Sequence, residues 1–237
     1  IDEDPEPIIT PLLPGPIYQF GDVVEYYERD IASDDCAFLP NIGEWQPVWC
    51  DEFDYERLPD PDKWGYDVGG HGWGNNELQY YTDADIDNAY VGNGYLTIEA
   101  MKESMGGRDY TSARLLSKDK GDWTYGKIQV RAKVPGCKGT WPAIWMLPTD
   151  WEYGGWPDSG EIDIMEYVGV DPDILHGTIH TGAYNHMLGT QKGKSIELEN
   201  MDTMFHVYEI EWEPNVIRYY VNGVRYYEVN YYAFESR

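Results

Sequence analysis

Positive charge is what this sequence has least of. Its 237 residues hold 17 Lys and Arg against 43 Asp and Glu, a formal net charge of −26. A chain so short of cations cannot lay a basic stripe along a phosphate backbone, which excludes nucleic acid as a partner. The same deficit sets it against anionic membrane surfaces. Long apolar runs are absent as well: nothing approaches the roughly 18 residues of a membrane span, so no membrane partner is expected. Cysteine is scarce, with only Cys36, Cys50 and Cys137. An odd, small number makes neither a disulfide framework nor a zinc spacing. Two readings stay open for them: one bridge, Cys36 to Cys50, as a secreted chain allows, or three inert buried thiols. Helical periodicity is also missing. No 11-residue window sustains a 3.6-residue repeat, and 25 Gly and 15 Pro punctuate the chain.

What is present is apolar and aromatic enough to fold. The hydrophobic share is 42% and the aromatic share 15%, too rich for a disordered chain. The acid is uneven: residues 1–62 hold 17 acids and two bases, Arg29 and Arg57, and the rest holds 26 acids and 15 bases. The first 16 residues, with five prolines and four acids, read as an extended tail or linker. Residues 17–44 read as an acidic extension, and 45–237 as a single β domain beginning around Glu44 to Trp49. The chain opens at Ile1 with neither the charged nor the apolar region of a leader, so it is expected to be a mature, secreted product.

Two-residue alternation dominates wherever a pattern exists. In Gly126–Val134, Ile128, Val130, Ala132 and Val134 share one face and Lys127, Gln129, Arg131 and Lys133 the other, a half-buried strand. Tyr95–Ala100 and His206–Trp212 alternate similarly. Val216–Val221 and Val224–Val229 flank Asn222-Gly223, a strong hairpin signal because both turn residues tolerate positive φ. The expected fold is all-β, an antiparallel sandwich.

The chemistry concentrates in Trp156–Gly169, WPDSGEIDIMEYVG. Glu161, Asp163 and Glu166 interrupt an otherwise apolar strand, and charges there are expensive to bury. Glu161 and Asp163 share a face by parity, with Ile162 and Ile164 pointing to the core. Glu166, five residues from Glu161, has the wrong parity. A one-residue β-bulge at Ile164-Met165 corrects it and puts all three acids on one face. The two glutamates then stand about 13 Å apart along the strand. Carboxylates this close cannot all ionise freely, so one Glu can remain an acid while the other stays an anion. That pair of states is what a retaining glycosidase uses, with its two carboxyls about 5–5.5 Å apart.

The run GEIDIMEY resembles the signature strand of glycoside hydrolase family 16. VWCDEF, GWGNNELQYY, YTSARLL, YGKIQVRAKVPGCKGTWPAIWMLP, LHGTIHTGAYN and Phe205–Val221 are similar to further family segments, in the family's order. The likeness runs over about residues 45–230 and is strongest to the laminarinase branch, with which the extra residue Met165 agrees. The resemblance implies a jelly-roll sandwich of the concanavalin type, with a substrate cleft on its concave sheet. It implies a retaining endo-β-1,3-glucanase acting on laminarin-like β-glucan. Mixed-linkage glucanase, β-agarase and a non-catalytic glucan-binding module are the competing readings. The net charge weighs against sulfated polymers.

Residue by residue, the resemblance makes Glu161 the nucleophile, Glu166 the acid/base and Asp163 the group that tunes both. It places Trp141 and Trp145 on the cleft strand and Trp156 in the loop before the nucleophile, as faces for sugar rings. It puts Asn75, Glu77 and Arg114 in the subsites before the scissile bond and His180 near the carboxylates. No cofactor is expected for catalysis. A structural calcium is implied, held by Glu52 and a backbone carbonyl near Gly94, with a further Asp from a last strand that this sequence does not contain. The family's closing strands are therefore expected elsewhere, for example as a separate fragment of the same domain.

Overall fold

The computed structural model describes Cys36, Leu39, Gly43 and residues 45–230. The Pro-rich segment 1–16, most of the acidic extension 17–44 and residues 231–237 lie outside the described residues. Fourteen strands follow one another: β1 (Gly65–Tyr66), β2 (Gln79–Tyr81), β3 (Ala89–Gly92), β4 (Tyr95–Ile98), β5 (Tyr110–Ser112), β6 (Leu115–Leu116), β7 (Gly126–Ala132), β8 (Ala143–Met146), β9 (Glu161–Glu166), β10 (Ile174–His180), β11 (Lys192–Glu197), β12 (His206–Glu213), β13 (Val216–Val221) and β14 (Val224–Asn230). Helix is confined to short 3₁₀ segments among the described residues, such as His186–Leu188. The expected all-β class is what the chain adopts. The chain forms two compact units, one ending at Asp122 and the other beginning at Trp123.

The first unit is built from short strands in pairs: β1 with β6, β3 with β4, and β2 with β5. The β2–β5 pair is parallel, which the purely antiparallel expectation did not include. Asn93 and Gly94 take φ of 55° and 78° at the β3–β4 turn, the left-handed geometry that joins two strands tightly. At the open end of this hairpin, fully buried Asn88 accepts from the Thr82 hydroxyl at 2.8 Å and donates to Thr111 Oγ1 at 3.0 Å. Such pairing offsets the cost of burying polar groups. Asp51 organises the entry to this unit, accepting from the Tyr55 hydroxyl at 2.9 Å and from Trp64 Nε1 at 2.8 Å. Next to it Cys50 is disulfide-bonded to Cys36, whereas Cys137 is an exposed free thiol. One bridge forms, and the reading with three buried thiols does not hold. Regular pairing begins at β1 rather than at Glu44 to Trp49, where Trp45 makes a single bridge and Pro47 has no N–H to give a ladder.

The second unit contains two four-stranded antiparallel sheets, ordered β11-β10-β9-β8 and β14-β13-β12-β7. The alternating residues decide which faces meet. Ile164, Met165, Leu175 and Ile179 from the first sheet pack with Tyr208, Ile210, Tyr219, Val221 and Val229 from the second. Burying each such side chain stabilises by about 1.5–3 kcal/mol. Tyr219 spans the layer and donates its hydroxyl to the Thr178 carbonyl at 2.9 Å. Gly177 allows that approach: a Cβ there would meet the Tyr219 ring at 2.9 Å and run into the Tyr226 hydroxyl. The other face of β7 is charged, as expected, and it is paired. Lys127 Nζ lies 2.8 Å from Glu209 and 3.3 Å from Glu211 on β12. The strand expected over Gly126–Val134 ends at Ala132, and buried Val134 still joins the core. The hairpin at Asn222-Gly223 forms with φ of 48° and 75°.

Candidate active site

β9 carries Glu161, Asp163 and Glu166, and both neighbouring strands read its bulge. On β8, Trp145 lies opposite Asp163 and Ala143 opposite Glu166, so two steps on β8 face three on β9. On β10, Thr178 lies opposite Asp163 and His176 opposite Glu166, the same two against three. The extra residue sits at Ile164-Met165, and both side chains of the bulge enter the core at 2% and 1% exposure. The apolar pair therefore stays inside while the third carboxylate rejoins the face of the first two. His180 lies opposite Glu161, which completes a row of His176, Thr178 and His180 along the same face.

Each glutamate has an indole donor. Trp156 Nε1 donates to Glu161 Oε2, and Trp141 Nε1 donates to Glu166 Oε1 at 3.1 Å. The Trp156 ring lies 5.8 Å from the His180 ring and 4.9 Å from that of His186. His180 Nε2 approaches Asp163 Oδ2 at 3.3 Å, near enough for ion pairing though not aligned as a hydrogen bond.

Electrostatics separates the acids. Asp163 is 3% exposed. Its carboxyl is pushed up, chiefly by burial and then by the charge of Glu166. Glu161 is also pushed up, by burial first and Asp163 second, while the Trp156 N–H and His180 pull it down. The two side chains hydrogen-bond to each other, which raises Glu161 further and lowers Asp163, so the pair titrates together. The sequence leads one to expect one glutamate protonated and the other ionised about a central Asp; the groups pushed up are instead Glu161 and the central Asp163.

Trp145 lies on β8 as expected, opposite Asp163. Trp141 does not: β8 begins at Ala143, because Pro142 lacks the N–H that would extend the ladder. Trp141 instead stands 55% exposed beside Glu166. In the first unit, Glu77 and Arg114 come together around two rings. Glu77 Oε2 accepts from the Tyr81 hydroxyl at 3.0 Å. Arg114 lies over the Trp73 ring at 4.6 Å and pairs with Asp67 at 2.9 Å, and Trp73 lies 5.6 Å from Tyr81. Asn75 is exposed in the preceding turn, its amide N–H bonded to the Gly72 carbonyl at 2.9 Å. Three residues of the catalytic face escaped sequence reasoning: His176, Ser195 and His186. Parity along ILHGTIH would have found His176, which is four residues before His180. His186, on a 3₁₀ turn, left no such signal.

Calcium takes six to eight oxygen ligands. Among the described residues no three His, Cys, Asp or Glu side chains come together as a metal cage. Half-buried Glu52 and the carbonyl of the turn residue Gly94 are the donors named from the resemblance.

Residues 75–235 match the model of the glycosyl hydrolases family 16. A β-glucanase of Rhodothermus marinus is 62% identical over 185 residues, 77% of this chain and 65% of that protein. A glucan endo-1,3-beta-glucosidase of Cryptopygus antarcticus is 39% identical over 81% of this chain and 71% of that one. The X-ray structure of the laminarinase from Rhodothermus marinus superposes with a TM-score of 0.78 at 59% identity, covering 80% of this chain and 76% of that chain. The chain thus spans just under two thirds of the length of the bacterial relative.

Proposed function

The chain belongs to the glycosyl hydrolases family 16, and on that premise we propose that it is a retaining endo-β-1,3-glucanase of laminarin-like glucans. The observation that carries the reading is the bulge of β9, which aligns Glu161, Asp163 and Glu166 on one face of the sheet. Glu161, as the carboxylate, attacks the anomeric carbon while Glu166 gives its proton to the departing glycosidic oxygen. The C–O bond to the leaving sugar breaks and a glycosyl–Glu161 ester forms. Glu166, now a carboxylate, takes a proton from water, whose oxygen attacks the same carbon and expels Glu161. Two inversions leave the configuration as it began. Asp163 keeps its proton against Glu161 and withdraws charge from the ester as it forms.

The substrate reading draws on the β-glucanase and endo-1,3-beta-glucosidase names of the relatives. It also draws on exposed Trp141 and half-buried Trp145 and Trp156 along the carboxylate strand, which offer apolar faces to pyranose rings. Neutral glucan meets no penalty from a net charge of −26. The Cys36–Cys50 bridge supports an oxidising, extracellular setting. The test is reducing-end release from laminarin, lichenan, barley glucan and agar by wild type and by Glu161→Ala. Laminarin should be cleaved fastest, and the variant should lose at least about 10³-fold in rate while still binding oligosaccharide. Full residual turnover would remove Glu161 from the chemistry, and agar as the best substrate would overturn the glucanase reading.

A further inference from the structure

We propose that His176, anchored by Ser195, is the positioning residue that holds Glu166 for proton transfer to the leaving sugar. The register puts His176 directly opposite Glu166 on β9 and directly opposite Ser195 on β11. Directly opposed residues of an antiparallel pair have Cβ atoms about 4.5–5.5 Å apart on one face. The register thus puts the two side chains on the same face of neighbouring strands, the face that carries Glu161 and Asp163. His176 Nδ1 lies 2.8 Å from Ser195 Oγ. The two ring nitrogens point in nearly opposite directions, so tying Nδ1 toward β11 turns Nε2 back toward β9. With the serine hydroxyl donating to Nδ1, the ring proton sits on Nε2, available to Glu166 or to a sugar hydroxyl beside it.

The other end of the strand shows the same plan. Glu161 has an indole N–H from Trp156 and a histidine, His180, opposite it on β10. Glu166 has an indole N–H from Trp141 and a histidine, His176, opposite it on the same strand. Trp141 occupies Oε1 of Glu166, which leaves Oε2 for the proton that moves. His176 then restricts the rotation of that carboxyl, so that Oε2 faces the glycosidic oxygen rather than bulk water. Holding an acid in register is a positional contribution to rate.

The inference rests on the glycosidase reading, and a leaving-group comparison separates the two. Proton donation matters for laminarin and hardly matters for 2,4-dinitrophenyl β-laminaribioside, whose phenolate departs unprotonated. His176→Ala should lower kcat/KM on laminarin about 10- to 100-fold, while kcat/KM on the dinitrophenyl substrate stays within about 3-fold. Sodium azide, an anion that needs no general base, should restore its kcat on the dinitrophenyl substrate and yield the β-glycosyl azide. Ser195→Ala should show the same split at about 3- to 10-fold. Equal losses on both substrates, or no loss on laminarin, in variants that melt like the wild type would overturn the proposal. Glu166→Gln is the control. If it splits the substrates and His176→Ala does not, only the role of His176 fails. If Glu166→Gln cleaves laminarin normally, the glycosidase assignment itself fails.

Discussion

Asp163 is the residue on which the site turns. It is almost completely buried, lies in the field of Glu166 and hydrogen-bonds to Glu161. Its pKa is pushed up to about 8, mainly by burial, whereas an unfolded Asp sits near about 3.9. The folded state therefore keeps a proton that the unfolded state releases. Stability from this group is fully present below about pH 4 and is lost as pH rises toward about 8. Asn at this position is neutral throughout. Asp163→Asn should gain stability over wild type as pH climbs from 5 to 8, by roughly 1–3 kcal/mol at the upper end. Chemical denaturation at the two pH values reads this, and a constant difference would contradict it. The acid limb of any residual activity should also move to lower pH, because Glu161 keeps the burial that raises it but loses the neighbouring carboxyl. The three carboxylates were legible because each breaks an apolar run. The indole donors were not, since nothing in a Trp codon says that its N–H, rather than its face, will meet a glutamate.

At the scale of the element, β9 works because its bulge adds a residue without adding length. Three residue steps from Asp163 to Glu166 advance the strand as far as two do on either neighbour. Deleting Met165 removes the bulge and leaves Glu161, Asp163 and the second glutamate in plain alternation at the same spacing. Inserting one residue after Ile164 restores even parity too, yet carries the glutamate a further pleat pair, about 6–7 Å, along the strand. The deletion should retain measurable laminarin hydrolysis, at a cost in stability of about 2–5 kcal/mol for the lost core side chain. The insertion should abolish activity. Activity in the insertion variant but not the deletion variant would refute this view of the bulge. Parity alone revealed the bulge in the sequence, since an isolated buried Glu166 was the unaffordable alternative. The hairpin at Asn222-Gly223 was legible for a similarly local reason. The parallel β2–β5 pair was not: its partners, Gln79 and Tyr110, are far apart in sequence and each strand is three residues long.

For the whole molecule the dominant fact is charge. A net −26 on 237 residues repels itself, and salt screens that repulsion. Raising NaCl from 10 mM to 0.5 M should raise the melting temperature, by roughly 2–4 °C for each kcal/mol of repulsion removed. Turnover of neutral laminarin should change little over the same range. A melting temperature that falls with salt would contradict the self-repulsion argument. The all-β class, the facing sheets and the polar outer face of β7 followed from alternation, because period two leaves a signal in every strand. The division at Asp122–Trp123 left none, since no composition shift marks it. The proposed mechanism is two displacements at one carbon by three aligned carboxylates. Proton NMR of the anomeric region during the first minutes of laminarin hydrolysis reads that most directly. The β-anomer should appear first, with the α-anomer growing in later by mutarotation. An α-anomer formed first would mean a single displacement and would contradict that mechanism.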